Sequence, residues 1–277
     1  SGDPASDGGT DLSPLLNPAG NNWFAGNFRS GGGKYDVIEG FLEAGVPLVN
    51  NSAWGKIDLN LAGRATDYST SGYVPTWKLG VTWDTPVDGL RFRALRSQDV
   101  RAPNLSELYP APVVTNNNVV NPFLTPPTAV SVQFERSGNP QLVPEEARNN
   151  SIGLVYQPDW LPGFRFSADY YRIKMSGAIQ NLTAQQSIDL CYQGFNAQCS
   201  AIITTDGGPP ETSPFQRILL QPYNMASLLT DGFDFDASYG FSVGNDSGDI
   251  LLRLRATHVR RFIEDSGIPG TVPIDSA

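Results

Sequence analysis

Hydrophobic and polar residues alternate strictly between positions 233 and 243, which is the clearest pattern in the sequence. Every second position there is apolar, at Phe233, Phe235, Ala237, Tyr239, Phe241 and Val243. The intervening positions carry Asp, Ser or Gly. Because successive side chains of a β-strand point to opposite faces, this segment predicts a strand of about ten residues with one apolar and one polar face.

The same alternation predicts further strands along the chain. It is clear over residues 54–68, 89–99, 163–175 and 249–261, and weaker over residues 34–48, 74–84 and 148–157. Together with residues 233–243 these segments make eight strands, and the turn-forming residues between them favour antiparallel pairing. We therefore expect an all-β protein.

The connections between these strands differ greatly in length. Five are short and rich in Gly, Pro, Asn or Asp, at residues 49–53, 69–73, 84–89, 158–163 and 244–248. The other two, residues 101–147 and 177–227, each run to about fifty residues. Every second connection is short, so one rim of the sheet is expected to carry only tight turns and the other rim the long loops.

Two all-β architectures produce such alternation, a soluble sandwich and a transmembrane barrel. Strands of a soluble sandwich usually have about five or six residues, whereas strands of a membrane barrel need about 9–11. The predicted strands are long, and charges on their polar faces, such as Lys56, Arg93 and Asp236, suit a water-filled lumen. Aromatic residues also cluster beside the short turns, as in the girdles of outer-membrane barrels: Trp54, Trp83, Tyr156, Trp160, Phe164 and Phe241. These features favour an antiparallel transmembrane β-barrel segment.

Composition narrows the functional classes further. The net charge is −9 and the chain has only four Lys, so nucleic acid is not an expected partner. No run of 18 apolar residues is present, so no membrane-spanning helix is expected. Residues 1–10 lack the basic start and the apolar run of a signal peptide, which suggests a mature chain or a fragment if the protein lies outside the cytoplasm.

Two cysteines, Cys191 and Cys199, and a single histidine, His258, limit the metal sites that the chain could build. A four-ligand zinc site made of Cys and His is excluded by this inventory. The cysteines form either a local disulfide or two free thiols. Their polar surroundings, which suggest an exposed loop, favour the disulfide and hence an oxidising compartment.

No set of residues predicts catalysis or a cofactor. Glu145 and Glu146 are adjacent on a predicted strand, so they point to opposite faces. Asp234 and Asp236 share a face but have no nucleophile nearby, and a Ser/His/Asp triad would depend on His258 in the middle of a strand. We expect neither an enzyme nor a metal or cofactor site.

Several motifs, in order along the chain, carry a resemblance to a known family. Residues 72–83 read Gly-Tyr-Val-Pro-Thr-Trp-Lys-Leu-Gly-Val-Thr-Trp, and the next strand leads into Arg-Ala-Pro-Asn-Leu-Ser-Glu-Leu-Tyr at 101–109. Residues 138–146 read Gly-Asn-Pro-Gln-Leu-Val-Pro-Glu-Glu, and residues 230–234 read Thr-Asp-Gly-Phe-Asp. From about residue 20 to residue 262 the chain resembles the barrel of TonB-dependent outer-membrane transporters. One departure is Gln98, where that family more often has Arg.

This resemblance implies an architecture and a function. Transporters of this family are single chains with a plug domain, a TonB box and a barrel of about 22 strands. Residues 1–277 are therefore expected to be a partial barrel without the plug and the closing strands. The implied function is active import of a scarce ligand, such as a ferric siderophore, across the outer membrane of a Gram-negative bacterium. The implied partners are outer-membrane lipid, the ligand, and TonB acting through the absent plug region.

The residues of the two loop motifs are expected to have structural roles. They are Arg101, Pro103, Asn104, Glu107, Leu108 and Tyr109 in the first motif, and Gly138, Asn139, Pro140, Pro144 and Glu145 in the second. Pro103 cannot donate to a ladder and should end its strand, while Pro140 and Pro144 should hold the returning chain extended.

The segment between Cys191 and Cys199 is the best candidate for ligand contact. A small disulfide ring would display Tyr192 and Phe195 in a rigid form, so that less conformational entropy is lost on binding. A loop staple without ligand contact is the alternative interpretation.

Two other functions remain open from the sequence. One is a secreted soluble β-sandwich that binds carbohydrate through exposed aromatic residues, and it would fold without detergent. The other is a small self-contained outer-membrane barrel, in which the first and last strands would pair with each other.

Overall fold

The computed structural model describes residues 21–23, 26–28, 32–51, 53–244 and 248–277. Residues 1–10, and residues 245–247 in the last predicted turn, lie outside this part of the chain. The described strands are β1 (Asn21–Trp23), β2 (Gly26–Phe28), β3 (Val37–Asn51), β4 (Gly55–Tyr68), β5 (Gly72–Asp84), β6 (Leu90–Arg101), β7 (Val113–Asn121), β8 (Thr128–Arg136), β9 (Glu145–Tyr156), β10 (Phe164–Asn181), β11 (Ile202–Thr204), β12 (Phe215–Leu220), β13 (Pro222–Ser242), β14 (Asp249–Asp265) and β15 (Ile274–Asp275). The described helices are α1 (Leu105–Leu108), α2 (Ala184–Tyr192) and α3 (Asn196–Cys199).

The chain divides into two compact units, each made of three segments. The strand unit comprises Val37–Ala102, Pro144–Ala178 and Met225–Ala277. The loop unit comprises Ser1–Asp36, Pro103–Val143 and Ile179–Asn224. The two long connections expected from the sequence therefore supply most of the loop unit.

The strand unit is an antiparallel sheet in the order β15-β14-β13-β10-β9-β6-β5-β4-β3. The eight predicted strands are all present, which confirms the prediction of a mostly antiparallel all-β fold. Two strands are much longer than expected, because β10 continues to Asn181 and β13 already begins at Pro222. Within the described residues the end strands β3 and β15 do not pair with each other, so the interpretation as a small self-contained barrel is wrong.

The strand register places apolar side chains beside apolar side chains on one face of this sheet. Leu61 of β4 lies opposite Leu79 of β5, and Tyr239 of β13 lies opposite Leu252 of β14. Soluble proteins cover such a face, but here Ile38 is 77% exposed and Leu254 is 68% exposed. In the described part of the chain these side chains are left uncovered and form no enclosed core between two sheets, so the interpretation as a soluble sandwich is wrong.

The short turns depend on glycine at positions that no other residue can occupy without strain. Gly163 has a φ of 86°, and a Cβ atom there would lie 2.0 Å from the carbonyl oxygen of Gly240. Gly240 in turn donates its backbone N–H to the Gly163 oxygen at 3.0 Å. Both the tight turn and the strand pairing next to it therefore require glycine at position 163.

The loop unit contains a second sheet, in the order β1-β2-β7-β8-β12-β11. Its pairings are antiparallel except for that of β8 with β12, which is parallel. The prediction that the long connections are loops is wrong, because they contain strands of this second sheet. The sequence pattern was weak there because the added strands are short and because β12 pairs with a strand about 80 residues earlier.

The loop unit has its own hydrophobic core, which packs α2 against this sheet. The core residues are Val119, Val132, Ala184, Ile188, Cys191, Ile202, Phe215, Ile218 and Leu220. Helix α2 begins with a capping box, in which Thr183 accepts from the backbone of Gln186 and Gln186 accepts from the backbone of Thr183. Ile188 on its buried side is fully enclosed.

Among the described residues, none of the helices is both long enough and apolar enough to span a membrane.

Candidate functional site

Ion pairs between strands lie on the polar face of the strand unit. Arg93 on β6 makes a bidentate contact with Asp169 on β10, with Nε to Oδ1 at 2.8 Å and Nη2 to Oδ2 at 2.6 Å. Arg253 and Arg255 on β14 both bind Asp236 on β13. Paired charges of this kind are stable beside water and would be costly beside lipid, so this face suits an aqueous lumen.

Gly153 on β9 makes the contact between Arg93 and Asp169 possible. It lies between them in one row across three strands, opposite both Arg93 and Asp169. A Cβ atom at this position would lie 1.9 Å from Asp169 Oδ1. The side chain of Asp169 therefore crosses over the glycine to reach an arginine two strands away.

The first loop motif follows directly after strand β6. Arg101, the last residue of β6, binds Glu145, the first residue of β9, with Nε to Oε2 at 2.6 Å and Nη2 to Oε1 at 2.8 Å. Asn104 then starts α1, where its side chain and that of Glu107 form a capping box. The strand ends before Pro103, as expected from the missing donor.

The second loop motif packs against the first. Asn139 donates its backbone N–H to the carbonyl oxygen of Glu107 at 3.0 Å. Gly138 lies so close that a Cβ atom would be 2.2 Å from the Leu108 carbonyl oxygen. Leu108 and Leu142 are each only 1% exposed. The structure thus brings together motifs that are about thirty residues apart in the sequence.

Other motif residues extend this packing within the loop unit. Asn139 also donates its side-chain amide to the Pro222 carbonyl oxygen at 2.9 Å. The ring of Tyr109 lies against Gly33, where a Cβ atom would be 2.1 Å from Cδ2 of the tyrosine. Pro140 lies on the surface between Asn139 and Leu142, whereas Pro144 belongs to the strand unit and directly precedes β9.

The two cysteines form a disulfide that joins α2 to α3, with their Cα atoms 4.7 Å apart. The segment is not the exposed loop expected from its polar composition, because Cys191 lies on α2 and is only 2% exposed. Tyr192 is 58% exposed, and its ring contacts Phe123 edge to face with centroids 5.1 Å apart. Phe195 is 38% exposed. The Glu211 carboxylate lies near both sulfurs, but sulfurs in a disulfide are not available as thiolate ligands.

A cleft of about 710 Å³ opens in the loop unit between α1, β8 and the start of α2. Its walls include Glu107, Val113, Phe134, Arg136, Leu182 and Leu220. A volume of this size is typical of sites for small molecules, which usually measure about 300–1,000 Å³. Neither Tyr192 nor Phe195 is part of the lining, so the sequence pointed to a different part of the loop unit.

The cleft combines apolar walls with one exposed cation. Arg136 ends strand β8, and in the described part of the chain its side chain has neither an ion pair nor a hydrogen bond. Glu107 accepts a hydrogen bond from the Asn104 backbone at 2.8 Å, which holds its carboxylate in the cap of α1. The arrangement suits an anionic molecule with apolar parts. Sequence reasoning missed this site because its walls come from four distant segments.

The match to a known family covers almost the whole chain. Residues 4–271 match the model of the family described as TonB dependent receptor-like, beta-barrel. The chain belongs to this family. Members are outer-membrane proteins of Gram-negative bacteria, and they are receptors and transporters rather than enzymes. The resemblance seen in the sequence motifs is thereby confirmed.

Individual relatives agree with this assignment. The probable hemoglobin and hemoglobin-haptoglobin-binding protein 4 of Haemophilus influenzae is 28% identical over 176 residues, which cover 61% of this chain and 14% of that protein. The siderophore receptor PirA of Acinetobacter baumannii has a TM-score of 0.57 at 18% identity, over 87% of this chain and 32% of that structure. A variant of the ferric enterobactin receptor PfeA of Pseudomonas aeruginosa, in complex with enterobactin, has a TM-score of 0.55 at 12% identity, again over 87% and 32%. The structural likenesses concern the fold alone, and this TonB-dependent receptor-like chain spans about a third of those solved structures.

Proposed function

We propose that this chain forms part of the barrel of an outer-membrane receptor, which binds a scarce ligand such as a ferric siderophore and imports it with energy supplied through TonB. The observation that carries the proposal is the sheet of long strands in which an exposed apolar face opposes an ion-paired polar face. The family match supports the same conclusion.

The faces of the sheet support a position in a bilayer. The apolar face carries exposed leucine, isoleucine and phenylalanine side chains from β3 to β14, among them Leu42 at 77% and Leu252 at 58%. The short turns, such as that before Leu90, would lie on the periplasmic side. The two long connections leave the opposite ends of the strands, and these ends would lie on the side of the outside medium, where a ligand arrives.

The cleft of the loop unit is our candidate for the ligand site. Arg136 would pair with a negatively charged group of the ligand, while Phe134, Leu182 and Leu220 contact its apolar parts. A ferric catecholate complex combines net negative charge with aromatic rings and matches this lining. The ring closed by Cys191 and Cys199 stays a second candidate, through Tyr192 and Phe195. No chemical step is proposed for the chain.

Ligand binding by the intact protein, purified from the outer membrane of a Gram-negative host, tests this proposal. Ferric enterobactin and haemoglobin, the ligands named for relatives, serve as probes. We expect ferric enterobactin or another ferric catecholate to bind, and Arg136→Ala to weaken binding about 10-fold to 100-fold, the range for loss of one charge-assisted contact. Arg136→Lys keeps the charge and should retain part of the affinity.

The controls separate the cleft from the other candidate and from general effects of charge. Lys34→Gln removes a positive charge from the same unit outside the cleft lining and should not change the affinity. Tyr192→Ala should have no effect if the cleft binds the ligand, and a large effect would move the site to the disulfide ring. Uptake that is unchanged in a host without TonB would contradict the proposed energy source.

A further inference from the structure

Four cations lie close together on the apolar face of the strand unit, where lipid contact is expected. They are Arg96 on β6, Arg148 on β9, and Arg172 and Lys174 on β10. All four side chains are exposed, and they line a shallow pocket of about 220 Å³ together with Gln98 and Asn150. We call these four residues the cationic patch.

The strand register arranges the patch as a grid of two rows. Arg96, Asn150 and Arg172 lie opposite one another across β6, β9 and β10 in the first row. Gln98, Arg148 and Lys174 form the second row, two residues further along each strand. Neighbouring strands are about 4.8 Å apart and alternate residues about 6.8 Å apart, so the cations surround a space of the size of one or two phosphate groups.

The grid belongs to the same face as the apolar side chains below it. The next row toward the short turns contains Ala94, Ile152 and Tyr170, and Phe92, Leu154 and Ala168 follow. Trp77 of β5 lies opposite Gln98 at the level of the second row and lines the same pocket. Tryptophan is enriched where membrane meets water, so the patch lies at the border of the apolar band on the side of the long connections.

The patch has no acidic partner, whereas many other cations of the sheet have one. Arg93, Arg101 and Arg253 on the polar face each bind a carboxylate. Arg260 and Arg261 share the buried carboxylate of Asp231. Among the described residues, none of the four patch side chains makes an ion pair or a hydrogen bond. Like charges so close together at a lipid-facing position repel each other unless an anion from outside the chain lies between them.

We propose that the cationic patch binds the phosphate groups of an anionic lipid in the leaflet on the side of the long connections. Arginine donates to phosphate in a bidentate manner and lysine contributes a point charge, and the amides of Gln98 and Asn150 add donors. The apolar rows below would contact the acyl chains of the same lipid. This proposal rests on the membrane position proposed above.

Lipid retention by the intact protein tests the proposal. The protein is extracted in a nonionic detergent and mixed with bisphosphorylated lipid A, phosphatidylglycerol or phosphatidylethanolamine, and bound lipid is counted by native mass spectrometry. We expect retention to follow the negative charge of the headgroup, with lipid A retained most, phosphatidylglycerol less and phosphatidylethanolamine least. The double variant Arg96→Gln/Arg172→Gln should weaken retention of lipid A about 30-fold, which corresponds to two contacts of the strength known for basic residues at anionic membranes.

A matched control removes the same charge from the other face. Lys78→Gln/Arg165→Gln changes two polar-face cations and should leave lipid retention unchanged. An equal loss in both double variants, or equal retention of phosphatidylethanolamine, would overturn the proposal. Full displacement of lipid A by inorganic phosphate at the same concentration would overturn the assignment to a lipid and would identify a free anion as the ligand.

The same samples keep this test separate from the proposed transport function. Each variant is first checked for recovery in the membrane fraction and for a heat-dependent shift in gel mobility. Failure of both checks in the unchanged protein would contradict the membrane position itself. A normal result in both, with no selective lipid retention, would contradict only the lipid site.

Discussion

Gly153 shows how a single missing side chain organises the charges of the polar face. Arg93 and Asp169 lie in the same row on the two flanking strands. They are two strand spacings apart, whereas opposite charges in a sheet normally pair across one spacing. The absence of a Cβ lets the aspartate extend over the intervening backbone to the guanidinium. At this position the smallest residue is required by an ion pair, and no turn or unusual φ is involved.

Replacing Gly153 with alanine is expected to break this ion pair. The new methyl group would occupy the place of Asp169 Oδ1, and the overpacking together with the lost contact should lower the free energy of unfolding by about 1–3 kcal/mol. Urea unfolding of the intact protein in lipid vesicles measures the change. Gly80→Ala on the same face is the control, because its nearest neighbours are at 3.7 Å or more and its cost should be small. Equal costs for the two variants would argue against a special role for Gly153.

At the scale of elements, helix α2 shows how the loop unit holds together. Its buried side packs Ile188 and Cys191 against the second sheet, and the disulfide ties its end to α3. The capping box at Thr183 satisfies backbone donors at its start. The unit therefore depends on a small core and one covalent link, since its strands have nine residues or fewer.

Removing the disulfide is expected to loosen the loop unit and leave the strand unit intact. For Cys191→Ser/Cys199→Ser, loop-closure entropy over a separation of eight residues predicts a loss of about 2–3 kcal/mol. Limited proteolysis followed by mass spectrometry should show new cleavage between residues 184 and 220, and the heat-dependent gel shift should persist. The unchanged protein treated with reductant serves as the control and should show the same cleavage sites. Cleavage that spreads equally into β3–β6 would contradict the division into two units.

At the scale of the molecule, the two faces of the large sheet are suited to different surroundings, one to lipid and the other to water. Leu251 and Leu254 on β14 are both 68% exposed, yet the strand alternation places them on opposite faces. The exposed fraction alone does not distinguish these two side chains. Their environments differ only if one face lies against lipid and the other lines a lumen.

Arginine substitutions at these two leucines are expected to have different costs. Leu254→Arg would place a charge against lipid and should lower the free energy of unfolding by about 2–4 kcal/mol, depending on depth. Leu251→Arg would lie on the polar face, in the pocket that also contains Asp236 and Arg253, and should cost about 1 kcal/mol or less. Unfolding in vesicles of the intact protein provides both values. Similar costs for the two substitutions would contradict the lipid-facing assignment.

The long strands of this protein and the identity of their faces follow from the sequence alone. Residues such as Phe233 and Phe235 recur with a period of two, and this period needs no knowledge of the partner strand. The short turns follow in the same way, because Gly163 and its counterparts are local signals. The family motifs around Arg101 and Gly138 are also visible in the sequence.

Only the tertiary structure decided what the long connections form and which residues they bring together. The cleft around Arg136 depends on the parallel pairing of β8 with β12, whose residues are separated by about 80 positions. Likewise, Arg96, Arg148 and Arg172 become neighbours through the register of β6, β9 and β10. A shift of that register by one residue would turn the side chains of a strand to the other face, and a connection of about fifty residues such as 101–147 does not set the register locally. Pairing over such distances results from the packing of the whole fold.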